Sequence, residues 1–73
     1  MFRNAEQIKE GDVVIYRTYN GEDRKVTVTY VSNDIKNGRA GFDGVIVGME
    51  NNPMGNVWGY CDQIVRYVSK VSA

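Results

Sequence analysis

The chain has 73 residues, 42% hydrophobic, 25% charged and 11% aromatic, a composition that fits one small globular domain, residues 1–73, and nothing larger. A chain this short buries only roughly 60% of its unfolded surface, which predicts a net stability of about 5 kcal/mol or less. Nine basic and nine acidic residues cancel, which weighs against a dedicated duplex-binding domain, because that affinity rests on an excess of phosphate-neutralising bases.

Cysteine and histidine usage narrows the chemistry. Cys61 is the lone cysteine and there is no histidine, so neither an internal disulfide nor a His/Cys metal site is expected, and no cofactor. No apolar run approaches the roughly 18 residues of a membrane span, and the start of the chain has no signal-type apolar region. A reducing, cytoplasmic setting is the expectation.

In chain order, Asn4-Ala5-Glu6-Gln7 has the pattern of a capping box and predicts one short helical turn, with Ile8 tucked against the domain. Gly11-Asp12 then opens a β-type run from Val13 to Tyr19. Asn20-Gly21 predicts a type I′ hairpin turn. From Arg24 to Ser32 the residues alternate, with Val26, Val28 and Tyr30 on one face and Lys25, Thr27 and Thr29 on the other, as in a half-buried strand. Asn33 to Gly41 reads as a polar loop long enough to move, and Phe42 to Met49 as a third strand with Gly44 and Gly48 on one parity. After a turn cluster at Asn51 to Asn56 come two β-type runs flanking Asp62-Gln63. No Gly or Pro separates them, so a single 3₁₀ turn capped by Asp62 is predicted there, before a last strand reaching about Val71.

Five short antiparallel strands suit a partly open small barrel better than a sandwich. The Ile8-Lys9-Glu10-Gly11-Asp12-Val13-Val14 lead-in, the Asn-Gly hairpin and the strand–turn–strand corner together resemble Src-homology-3-like (SH3-like) barrels, including Tudor-type and KOW-type modules. That resemblance covers residues 8–69 and implies an all-β, five-stranded barrel. The Ala40-Gly41-Phe42-Asp43-Gly44 and Val57-Trp58-Gly59-Tyr60 segments, the latter running on to Val65, are also similar to small uncharacterised bacterial and phage proteins. Such a family carries no assigned activity, so it transfers no site residues. The Ala-Leu-Tyr-Asp-Tyr motif of peptide-binding Src-homology-3 domains is missing.

Strand alternation sets Val57, Gly59 and Cys61 on one face and Trp58 and Tyr60 on the other. If the smaller set is buried, Trp58 and Tyr60 form an outer patch joined by Tyr16, with Arg17, Arg39 and Asp43 at its rim. Exposed Trp and Tyr are common recognition anchors, since they bring large area at little entropic cost. In the competing arrangement Trp58 plugs the barrel. The expected function is a non-enzymatic binding module whose partner is a protein or a second copy of the chain.

The alternative is a nucleic-acid-binding barrel using the basic segment 24–41, where four bases oppose Asp34 alone, a net +3. Its candidate phosphate contacts are Arg24, Lys25, Lys36, Arg39 and Arg66, beside aromatic rings on which bases stack. Residues 42–63 carry three acids and no base, a net −3, so the charge is bipolar along the chain. Catalysis has little material: Asp12, Asp43 and Asp62 fall in turns, and Cys61 reads as a small buried hydrophobe. A free strand edge after Gly44 is a further place for a partner strand to add.

Overall fold

The structure is a computed structural model and describes residues 7–70. The expected capping box at Asn4 lies outside the described residues except for Gln7. Five strands form one antiparallel sheet: β1 (Val13–Arg17), β2 (Asp23–Lys36), β3 (Arg39–Ile46), β4 (Asn56–Tyr60) and β5 (Ile64–Ser69). Their order across the sheet is β4-β3-β2-β1-β5. All-β architecture was expected, but the sheet is not closed, since no ladder joins the edge strands β4 and β5.

Those two edges are nonetheless tied at one corner. A 3₁₀ turn of three residues, Cys61–Gln63, links β4 directly to β5, so the sheet must curl until its ends approach. The predicted turn is therefore present, with a different cap. The Gln63 side chain accepts a hydrogen bond from the Tyr60 N–H at 3.0 Å, whereas Asp62 turns outward to Arg39.

The lead-in is a second fixed point. Gly11 has φ +94° at the third position of a turn closed by the Asp12 N–H onto the Lys9 carbonyl at 3.0 Å. Only glycine adopts that conformation cheaply. The turn is latched to β2 by Gly11 N–H donating to Val28 O at 2.7 Å and Val28 N–H donating to Asp12 O at 2.8 Å. Asp12 is buried, and its carboxylate accepts from the Lys9 N–H at 2.9 Å. Ile8 packs into the core, as expected.

Both hairpins differ from their predicted form. At Asn20-Gly21 only Gly21 has positive φ, and Arg17 pairs with Asp23 across a five-residue connection, so a two-residue type I′ turn is ruled out there. That turn occurs instead at Asn37-Gly38, with φ of 58° and 73°, between the paired Lys36 and Arg39. The segment read as a mobile loop, 33–41, is thus the end of β2, a tight turn and the start of β3. β3 stops at Ile46, and Gly48 lies in a turn at φ +94° rather than on a strand.

The core comprises Ile8, Val14, Tyr16, Val26, Val28, Phe42, Cys61 and Ile64. Complete burial of a ring such as Phe42 is worth about 1.5–3 kcal/mol, which is large in a domain of this size. Tyr30 departs from the predicted inner face. The ladder slips by one residue between Val28 and Tyr30, so Thr29 is an extra residue and Tyr30 points to solvent at 50% exposure. Tyr16 meets Phe42 edge-to-face, with ring centroids 5.6 Å apart at 84°.

Tyr16 also packs against Gly59 of β4. A Cβ at Gly59 would stand 2.6 Å from Tyr16 Cε1, and that ring is held by Phe42 behind it. Gly59→Ala is therefore expected to destabilise the fold by about 1–3 kcal/mol through overpacking, read as a lower urea midpoint.

Candidate functional site

The inner face claims Val57, Gly59 and Cys61, so the outer face receives Trp58 and Tyr60 by the two-residue period of the strand. Their rings pack edge-to-face, 5.3 Å apart at 87°. Trp58 is 39% exposed, while Tyr60 is 5% exposed because other groups lie over it. The Arg39 guanidinium sits 3.8 Å from the Tyr60 ring centre and is held there by Asp62 through a 2.6 Å ion pair. The Asn37 amide donates to the Tyr60 hydroxyl at a long 3.4 Å. Lys36 places its Nζ 5.2 Å from the Trp58 ring centre.

Cross-strand register supplies the rest. Asp43 of β3 pairs with Trp58 on one side and with Tyr30 on the other. The three therefore form a straight row across β2, β3 and β4 on the solvent face. Tyr30 was not among the expected site residues; the extra residue at Thr29 that turns it outward leaves no mark on the sequence pattern.

Of the expected patch, Arg39, Asp43, Trp58 and Tyr60 come together. Tyr16 does not. It has the predicted parity, shared with Val14, but that parity is the inner one, and Tyr16 is a core residue on the opposite face of the sheet. Arg17 is engaged elsewhere, with its guanidinium 2.8 Å from Asp23.

The basic segment is also divided. Arg24 and Lys25 sit at the β1 end of β2, whereas Lys36 and Arg39 flank the opposite hairpin. Lys25 and Arg66 share a row through Ile15, and Arg24 is paired with Glu22 at 2.7 Å. The five residues expected to follow a phosphate backbone therefore fall on two separate regions. The Tyr60 ring is covered by Arg39, which leaves Trp58 and Tyr30 as the exposed rings of this face on which a base can stack.

The free edge of β4 is narrower than its length suggests. Tyr60 donates its N–H to Gln63 and Asn56 donates its N–H to Pro53, so the even-numbered positions of β4 point away from β3. Among the outward N–H groups of β4, only that of Trp58 is open. The other edge carries two slips in its ladder, between Val13 and Val14 and between Ile15 and Tyr16. These leave Val68 and Val65 as extra residues, exposed by 41% and 44%.

No helix of the described residues is long and apolar enough to cross a membrane, and none of their His, Cys, Asp and Glu groups is placed to hold a metal ion. Compared with protein-family models, with curated proteins and with solved structures, the chain has no match in any of the three.

Cys61 is buried, and burial first, then the charge of Asp62, pushes its thiol above the ordinary range. Burial likewise raises Tyr16, with a contribution from Tyr19, and Tyr67, with one from Asp12. A raised folded-state value stabilises fully below the unfolded-state value and is lost as pH rises through the folded one. The urea midpoint is thus expected to hold steady up to about pH 8 and fall above it, as thiol and then phenol titrate in the unfolded chain. In the same protein at neutral pH, the thiol is expected to react with an aromatic disulfide reagent only as fast as the fold opens, and at full rate in urea.

Proposed function

We propose that this protein is a small SH3-like β-barrel module that works by binding, without catalytic chemistry, and that it recognises a protein partner through the outer face of β3 and β4. The barrel reading is supported by the meander order of the strands, by the 3₁₀ corner that ties β4 to β5, and by Tyr16 of β1 filling the space against Gly59 of β4. The binding reading rests on one observation above others. Trp58 is partly exposed on β4, braced by Tyr60 and bordered by Lys36, Arg39 and Asp43. An amphipathic ring with a charged rim is the usual composition of a recognition anchor.

A protein partner fits this surface better than nucleic acid. The Tyr60 face is occupied, Arg39 is neutralised by Asp62, and the remaining bases stand apart. The absence of histidine and the high pKa of the buried Cys61 thiol support a non-enzymatic role.

Trp58→Ala tests the surface, because the residue lies outside the core and its removal leaves the buried cluster intact. The immobilised wild-type chain is expected to retain a defined protein species from the cells that express it. The folded Trp58→Ala variant is expected to lose that species by tenfold or more, on the order of a hot-spot effect. Native mass measurement separates a second copy from a different protein. Retention of nuclease-sensitive material with a steep salt dependence, unaffected by Trp58→Ala, would overturn the reading.

A further inference from the structure

Asp43 stands apart in the charge pattern of this molecule. Asp23 is paired with Arg17, Glu22 with Arg24 and Asp62 with Arg39, while Asp34 and Glu50 accept backbone N–H groups of Gly38 and Gly48. Asp12 is buried and bonded to Lys9 N–H. Among the described residues only Asp43 and Glu10 are carboxylates with no partner in the chain. Asp43 alone of the two is flanked on both sides by exposed aromatic residues, Tyr30 and Trp58, in adjacent strands and in register.

A carboxylate between two exposed aromatic side chains is complementary to a cation, and to a planar guanidinium more than to an ammonium, because the former stacks as well as pairs. The rings of this face already carry cations of the chain itself: Arg39 over Tyr60 and Lys36 beside Trp58. At the outer edge, Trp58 also offers its open N–H to a carbonyl. Neighbouring strands are about 4.8 Å apart, so a segment lying beside β4 at Trp58 has its backbone about 10 Å from that of Asp43. An extended arginine reaches across that gap, passing over the indole on the way.

We propose that the row Tyr30–Asp43–Trp58 is a binding site for an arginine side chain presented by an extended segment of the partner protein. The assignment rests on the outer-face reading above and specifies its chemistry. Lys36 is then a competitor rather than a contact: its ammonium shares Trp58 with the incoming cation and repels it.

The sign of the Lys36 effect is the sharpest test. The probe is an unstructured Gly/Ser peptide holding one arginine, titrated into the full chain and followed by amide shifts and by the fluorescence of the single tryptophan. The wild-type chain is expected to show shifts confined to Tyr30, Asp43, Trp58 and their neighbours. Asp43→Asn is expected to weaken binding about three- to fivefold, and Lys36→Ala to strengthen it about twofold. The same peptide with glutamate in place of arginine is expected to be silent at these residues. Absence of shifts there, an unchanged affinity in Asp43→Asn, or weaker binding in Lys36→Ala would each overturn the arginine site. Partner capture that depends on Trp58 but not on Asp43 would sink the arginine assignment and leave the surface reading standing. Capture indifferent to Trp58 would remove the surface itself.

Discussion

The packing of Tyr16 against Gly59 and, edge-to-face, against Phe42 is the contact on which the remaining geometry depends. The strands at the two edges of the sheet are consecutive in the chain and separated by three residues, so the sheet has to curl tightly at that corner. A curl this tight leaves room for one ring between β1 and β4, and only because position 59 carries no side chain. Phe42 then closes the space from β3. Once Gly59 is committed inward, its neighbours have no choice. Trp58 and Tyr60 point outward by the pleat alone, and the placement of the outer aromatics follows from the packing of the inner ones.

The outer face is then tied together by local charge. Arg39 is clamped between the Tyr60 ring and Asp62, which joins the β2–β3 hairpin to the 3₁₀ corner across 23 residues of sequence. An exposed ion pair of this kind contributes little to global stability. Its consequence is positional. Arg39 covers the Tyr60 ring, and Tyr60 packs edge-to-face with Trp58, so the exposed indole has another ring braced against it.

Much of this was legible in the sequence, and the failures have identifiable physical causes. Gly11-Asp12 announced the first strand because a positive φ and a short acceptor side chain are needed together there. The corner at Asp62-Gln63 was legible from the lack of any residue suited to a tight hairpin, although the capping role fell to Gln63. Two Asn-Gly pairs compete in this chain, and local chemistry does not say which one has strands in register on both sides. Asn37-Gly38 does, and Asn20-Gly21 is held in a longer loop by Thr18 and Glu22. Parity correctly grouped Tyr16 with Val14, but not which face was inward, because Tyr suits core and surface alike. The slip at Thr29 is invisible in principle: Val28-Thr29-Tyr30 alternates perfectly as letters, and only pairing with β3 reveals the extra residue. The basic run from 24 to 41 looked like a patch because sequence distance is short, whereas a long strand carries its two ends apart.

The edges bear on how the proposed surface is to be understood. An open sheet in a small domain invites strand addition at both sides, and here both sides are blunted by different means. β5 is interrupted by two extra residues, Val65 and Val68, which break the regular spacing a partner strand requires. On β4 the donors at both ends are consumed internally, by Pro53 and Gln63, leaving the Trp58 N–H. A regular ladder with another chain is therefore disfavoured at either edge, since on β4 one of the three outward N–H groups, that of Trp58, is left for a partner strand. The proposed affinity therefore rests mainly on side chains of the face, where the indole, Asp43 and Tyr30 lie in one row. In the proposed site, the open N–H sets the register of an extended segment, and the row decides which side chain that segment must present.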